Sequence, residues 1–409
     1  MNTISTLFQG IGSFFYQEPK IVISRLILMA AGILLVYLGS KHILEPLIMI
    51  PMGFGMTSVN AGVLFFTDRQ DFGTLFIEPL TGTGTLPEVT QFLDLLQIDF
   101  LQPVYSLMFS NGLIACLVFM GVGVMSDVSN VLRYPFTSMM IAACAELGSI
   151  VSFPIAIWMG LAPEPAAAIA IVGGADGPMV IFTSLLMAPE YFVAITVIAY
   201  LYLSLTYAAY PFMIKLLVPM ELRGRVVKTT RKGGVTAQQK LMFCLVANTL
   251  LCLLFPVAAP LFASFFLGNA IKESGILRYV KLLEDVFLNS STFFLGLLLG
   301  VLCEGSTLLD PEVLPLLIVG SLALAISGFG GLFGGYVVYW INHKKFNPAI
   351  GIAGVSCVPT TAKVAQHEIH LANKKATVLS YAMGANICGV IFSAVVTGVY
   401  LSMVPLVFH

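Results

Sequence analysis

The stretch "IVGGADGPMVIFTSLL", residues 171–186, sets a carboxylate, Asp176, between two glycine pairs' worth of breakers: Gly173 and Gly174 before it, Gly177 and Pro178 after it. On either side the residues are Ile, Val, Phe and Leu. Glycine permits positive φ and close backbone approach, and Pro178 suits the first turn of a new helix. The stretch therefore reads as an apolar segment whose helix stops and restarts at Asp176. An unpaired carboxylate at bilayer depth costs ~2.5–3.5 kcal/mol on insertion scales, and such residues usually face an ion or proton path. The alternative is a capping Asp in a loop at the interface.

Whether lipid surrounds this stretch is decided by composition. The chain has 409 residues, of which 58% are hydrophobic and 10% charged, and its mean hydropathy is +0.94. A soluble chain carries roughly 25% charged residues. An all-α, multi-pass membrane protein is expected, with the lipid bilayer as its solvent. The net charge of -1 gives no global field for nucleic acid. The seven cysteines are scattered through apolar stretches without a CxxC pair, as small buried hydrophobes rather than disulfides or metal thiolates. Positive charge before the first apolar run is nearly absent, so no cleaved signal is expected.

Candidate spans follow at 21–40, 104–125, 135–160, 191–218, 241–267, 283–303, 313–341 and 377–407, each near the ~20 residues a bilayer crossing needs. Before them, Ile4, Leu7, Phe8, Ile11, Phe14 and Phe15 recur at helical spacing, as in a short interfacial helix within residues 1–20; a plain irregular terminus fits as well. Three further apolar stretches are too interrupted by Gly and Pro to be simple spans: 44–56, 166–186 and 346–365. Non-helical backbone at membrane depth survives only where it is buried in protein or lines a cavity, so function is sought there.

The polar segments differ in sign. Residues 60–103 carry Asp68, Asp71, Glu78, Glu88, Asp94 and Asp99 against Arg69, whereas 221–240 carries Arg223, Arg225, Lys228, Arg231, Lys232 and Lys240 against Glu221. Lys and Arg concentrate on the cytoplasmic side. Residues 221–240 are thus expected to be a cytoplasmic loop between a first membrane half, 21–220, and a second, 241–409. Counting spans beyond it puts His343, Lys344 and Lys345 outside, against the same rule. Each half holds one Gly/Pro-broken segment followed by a closing span. Paired interruptions of this kind mark transporters built from related, inverted halves whose broken or re-entrant helices meet near the midplane.

Around the second break stand the neutral oxygens of Asn347, Ser356, Thr360 and Thr361, with Gly351, Gly354 and Pro359 as breakers. Asp176 with freed carbonyls and such oxygens supplies hard ligands for Na+. Lys363 follows the break, either recognising an anion or snorkelling to the interface. Tyr202 lies 26 residues after Asp176, where an anchoring role is the commoner one. Glu146, in "AACAELGSI", is a second buried carboxylate, a proton site or one member of a pair. "HEIH" at 367–370 spaces its histidines three apart, not four, and reads as loop rather than a zinc motif.

These residues, in this order, resemble the β subunit of the sodium-pumping biotin-dependent decarboxylases, the family of oxaloacetate, methylmalonyl-CoA, glutaconyl-CoA and malonate decarboxylases. The likeness runs over nearly the whole chain through "EPLIMIPMGFG" (45–55), "FMGVGVMSD" (119–127), "IVGGADGP" (171–178), "GNAIKESG" (268–275), "NPAIGIAGVSCVP" (347–359) and "MGANICGVIFSAV" (383–395). The resemblance implies that Asp176, Asn347, Ser356 and Asn386 hold Na+. It further implies that Asp176, Tyr202, Ser356 and Lys363 serve the reaction and that Gly351 and Lys363 meet carboxybiotin; either Tyr202 or Ser356 is expected to relay the proton. The family usually has Arg where Lys363 and Lys272 stand, and a neutral amide where Glu146 stands.

The reaction so implied is decarboxylation of carboxybiotin, consuming a proton and driving Na+ outward across the cytoplasmic membrane. The chain has no biotin-acceptor "MKM", so carboxybiotin would arrive on a biotin carrier subunit loaded by a carboxyltransferase subunit. A small membrane γ subunit would be the direct partner, and a trimer would suit the family. The rival is a secondary Na+/H+ antiporter or Na+-coupled symporter using the same breaks without chemistry. A mere membrane anchor would have no use for a buried Asp176.

Overall fold

The computed structural model describes residues 14–15, 17–62, 101–227, 234–305 and 313–408. Most of the interfacial segment expected within 1–20, most of the acidic segment and the centre of the basic loop lie outside them. All regular structure among the described residues is helical. The main helices are α1 (Pro19–Ser40), α2 (Pro46–Gly62), α3 (Leu113–Met125), α4 (Pro135–Trp158, interrupted at Glu146), α5 (Pro163–Ala170) and α6 (Gly177–Met187). They are followed by α7 (Phe192–Leu217), α8 (Ala237–Leu254), α9 (Ala259–Glu273), α10 (Leu277–Leu302), α11 (Val313–Ile341), α12 (Thr360–Ala372) and α13 (Leu379–Phe408). Among the described residues seven helices are long and apolar enough to cross a membrane: α1, α4, α7, α8, α10, α11 and α13. Helix is the form such runs must take, because it satisfies every backbone polar group within the segment.

Side-chain bonds tie the helix ends into two faces. At one, Ser24 of α1 donates to the Gly305 carbonyl (2.9 Å), Arg25 to that of Asn60 (2.9 Å), and Asn60 to that of Cys303 (2.9 Å). At the other, the basic face, Asn347 donates to the carbonyls of Arg223 (2.7 Å) and Arg225 (3.1 Å), Asn373 to that of Gly224 (2.7 Å), and Arg225 to that of Lys344. Lys215 and Arg223 close on the buried Glu368 at 3.3 and 3.9 Å. Residues 367–370, expected as loop, belong to α12.

This stitching places Lys344 beside Arg225, on the same face, where span counting had put it opposite. The missing pass lies in the span expected at 241–267. It is two helices, α8 and α9, turned about at Pro256–Ala258, and Lys240 at the start of α8 pairs with Glu273 at the end of α9 at 2.6 Å. Both ends of this hairpin sit on the basic face, which restores the parity.

Two other expectations change. Residues 44–56 are not a break: α2 runs through them as 17 residues with Pro51 inside. Its glycines serve close packing instead, Gly53 against the Gly32 carbonyl of α1 and Gly55 against the Leu297 carbonyl of α10, as small residues do between membrane helices. The span at 104–125 is interrupted at Gly112 (φ 75), leaving α3 with 13 residues.

Candidate functional site

The two remaining breaks are re-entrant hairpins. The first descends through α5, tightens into a 3₁₀ turn at Ile171–Gly174, reverses at Ala175 and Asp176, and returns as α6, whose Phe182 and Leu185 pack by Gly112 at the face opposite the basic one. Ala175 takes the left-handed region (φ 55), unfavourable for a residue with a Cβ and a mark of backbone held for a purpose. Asp176 is the N-cap of α6, with extended backbone (φ -119, ψ 97), and only 7% of it is exposed. The Met179 N–H and Ser356 sit beside its carboxylate. The second hairpin leaves the basic face at Asn347, enters as a 3₁₀ turn over Pro348–Gly354, reverses at residues 355–359 and returns as α12.

The tips meet. The Ser356 N–H donates to the Gly174 carbonyl at 3.0 Å, and its hydroxyl donates to the same oxygen. Gly351 lies in the second hairpin against the Gly331 carbonyl and Gly335 of α11, leaving no room there for a side chain. Asn386 of α13 donates to the carbonyls of Ala353 (3.1 Å) and Val355 (2.9 Å) and to Thr361 Oγ1 (2.9 Å), holding the reversal in shape. Its Oδ1 is buried without a partner.

A cavity of about 140 Å³ extends from the tips toward the basic face. Asp176, Ser356, Cys357 and Thr360 line its inner end, Tyr200, Ser204 and Tyr207 of α7 one wall, and Glu45, at the start of α2, its outer end. The structure therefore brings together Asp176, Ser356 and Thr360. Asn347 caps the second hairpin at the basic face, accepting from Ala349 N–H (3.1 Å). Lys363 is exposed one turn along α12 from Pro359, whose carbonyl accepts its N–H at 3.0 Å.

The tyrosine expected at the site stands off it. Tyr202 donates to the Leu317 carbonyl of α11 at 2.9 Å. Tyr200 is the one lining the cavity, buried, its hydroxyl without a partner and packed on Gly177, next to Asp176. Residues two apart on a helix point ~200° from one another, so a tyrosine at 200 and one at 202 cannot both face the same cavity. Only the neighbouring helices tell which does.

Chemically, the inner end of the cavity offers the carboxylate of Asp176 with the hydroxyls of Ser356 and Thr360, hard oxygens suited to an alkali cation, and in Tyr200 a hydroxyl able to move a proton. Among the described residues no group of three or more His, Cys, Asp or Glu is placed to hold a metal ion, so Na+ there would rely on neutral oxygens around Asp176.

The family model for the Na+-transporting oxaloacetate decarboxylase beta subunit matches residues 24–404. A carboxybiotin decarboxylase of Malonomonas rubra is 51% identical over 402 residues, 98% of either chain. An oxaloacetate decarboxylase beta chain of Haemophilus ducreyi is 30% identical over 99% of each chain. A methylmalonyl-CoA decarboxylase subunit beta of Veillonella parvula is 31% identical over 92% of each.

Proposed function

This chain belongs to the family of the Na+-transporting oxaloacetate decarboxylase beta subunit, and on that footing we propose that it decarboxylates carboxybiotin at the inner end of the Asp176 cavity and couples the step to Na+ movement toward the face opposite the basic one. The observation that carries this reading is the meeting of the Asp176 and Ser356 hairpin tips, entering from opposite faces and joined by the bond from Ser356 to the Gly174 carbonyl, at the inner end of a cavity directed to the basic face. By its excess of Lys and Arg the basic face is cytoplasmic. The opposed entries also support two related, inverted halves. Carboxybiotin would arrive from the cytoplasm on a biotin carrier subunit, and the acid originally decarboxylated is chosen by a carboxyltransferase subunit. A γ subunit and a trimeric arrangement belong to the same proposal.

The chemistry assigns roles. Scission of the carboxyl carbon–nitrogen bond releases CO2 and leaves the electron pair on the ureido group, which takes a proton. Tyr200, whose hydroxyl faces the cavity unpartnered, is the donor in place of Tyr202. Asp176 holds Na+ with Ser356 and the hairpin carbonyls. Asn347 and Asn386 act by holding the second hairpin's geometry, and Lys363, exposed on α12, offsets the charge of the incoming carboxybiotin. Each Na+ moved against 100 mV costs ~2.3 kcal/mol, so decarboxylation must be tied to occupancy of Asp176.

The test is decarboxylation of free carboxybiotin by purified protein with and without Na+, and by Asp176→Asn. Na+-stimulated CO2 release, lost in Asp176→Asn, is expected. Na+ uptake into vesicles without CO2 release would favour a secondary transporter instead.

A further inference from the structure

Glu146 is used by nothing described above, yet it is 2% exposed in the middle of α4, at the interruption between its two halves. Ser149 donates to its Oε2 at 2.9 Å. Its Oε1 faces Gly174: the place where that glycine lacks a Cβ is bounded by Ser393 Oγ and, at 3.3 Å, by Glu146 Oε1. Ser393 and Thr397, one turn apart on α13, are fully buried, and neither hydroxyl has a partner. Tyr400, on the same helix, donates to the Ser149 carbonyl at 2.9 Å and fixes α13 against α4.

Glu146 thus lies behind the Gly174–Asp176 turn, outside the lining of the Asp176 cavity, and near enough for the two carboxylates to act on one another. Among the described residues no Lys, Arg or His forms an ion pair with either. Buried charge is expensive unless paired or compensated, so two buried carboxylates around one turn call for mobile cations. A proton would neutralise Glu146 but leave the hydroxyls as they are. A bare alkali cation would use them as ligands.

We propose that Glu146, Ser149 and Ser393, facing one another across Gly174, form a second Na+ site, with Thr397 next along its route toward the face opposite the basic one. The site deepens the reading of the chain as a Na+ transporter and rests on it. It gives the ion a resting place beyond the hairpin contact, so that Asp176 is free to refill from the cavity.

The test measures equilibrium binding of radioactive Na+ to the purified full-length chain in detergent, with thermal unfolding followed in parallel. Wild type should bind two Na+ per chain, and Asp176→Asn and Glu146→Gln one each. Ser393→Ala should keep two, with one of them weakened about tenfold. A folded Glu146→Gln protein that binds Na+ as wild type does would overturn the site, meaning that a proton holds that charge. Should Glu146→Gln not fold, Ser393→Ala decides: unchanged affinity for every bound Na+ overturns the proposal. Should wild type bind no Na+, or folded Asp176→Asn bind as much as wild type, the reading of Asp176 as the transport site would be overturned instead.

Discussion

Ser356 and Gly174 join the two re-entrant hairpins through one oxygen: the Gly174 carbonyl accepts both the backbone N–H and the hydroxyl of Ser356. The bond crosses 182 residues of chain and stands beside Asp176, so at the proposed Na+ site ion occupancy and hairpin contact would share atoms. Ser356→Ala keeps the backbone bond and removes the other. A stability loss of about 1 kcal/mol, the net worth of a typical hydrogen bond, is expected, with a raised Na+ concentration for half-maximal decarboxylation. Unchanged Na+ dependence would detach the second hairpin from the ion site.

Tyr200 and Tyr202 should separate cleanly. Removing a positioned proton donor costs ~10²–10⁴-fold in rate, so Tyr200→Phe should fall by that order in kcat while melting as wild type does. Tyr202→Phe loses its bond to Leu317 and should cost about 1 kcal/mol of stability with kcat little changed. The reverse pattern would return the donor role to Tyr202.

Lys363 offers a point charge where an Arg would offer a fork. Lys363→Arg should keep activity, and Lys363→Gln should raise the KM for free carboxybiotin at saturating Na+ without lowering the melting temperature. A KM unmoved by Lys363→Gln would make the residue an exposed interfacial lysine.

Gly351 sits where a Cβ would collide with the Gly331 carbonyl of α11. Gly351→Ala should cost ~1–3 kcal/mol, as overpacking does, read as a lowered melting temperature. A stable variant with weakened carboxybiotin binding would put the glycine at the substrate instead.

Asn347 spends its amide on two carbonyls of the 223–225 turn. Asn347→Asp replaces those donors with acceptors facing acceptors, so a destabilisation of ~1–3 kcal/mol from unsatisfied buried groups is expected. A stable protein with an altered Na+ requirement would restore Asn347 to the ion's ligands.

Much of this was legible in the residues alone. The helical, membrane-spanning character followed from composition, and the breaks at Asp176 and Pro359 from Gly and Pro in apolar surroundings. The same signal misled at residues 44–56, because glycine serves close helix contact as readily as it serves a break, and only the neighbours, Gly32 and Leu297, tell which. The reversal at Pro256–Ala258 was hidden because its turn, "FPVAAP", is as apolar as the helices it joins. The choice between Tyr200 and Tyr202 was hidden for a related reason: a helix apolar all round does not declare which face meets a cavity.

The hairpin of α8 and α9 also constrains how the protein is made. At 15 residues, α9 spans about 22 Å as a helix, short of the ~30 Å hydrocarbon core, and would be a poor independent passenger for the insertion machinery. Entering together with α8, it needs no part of Lys272 or Glu273 to be carried across when the basic face is cytoplasmic, as proposed, since both ends of the pair then stay on the side where they are synthesised. The Lys240–Glu273 contact then forms without either charge passing through lipid, and the second half of the chain starts its remaining crossings from the correct side.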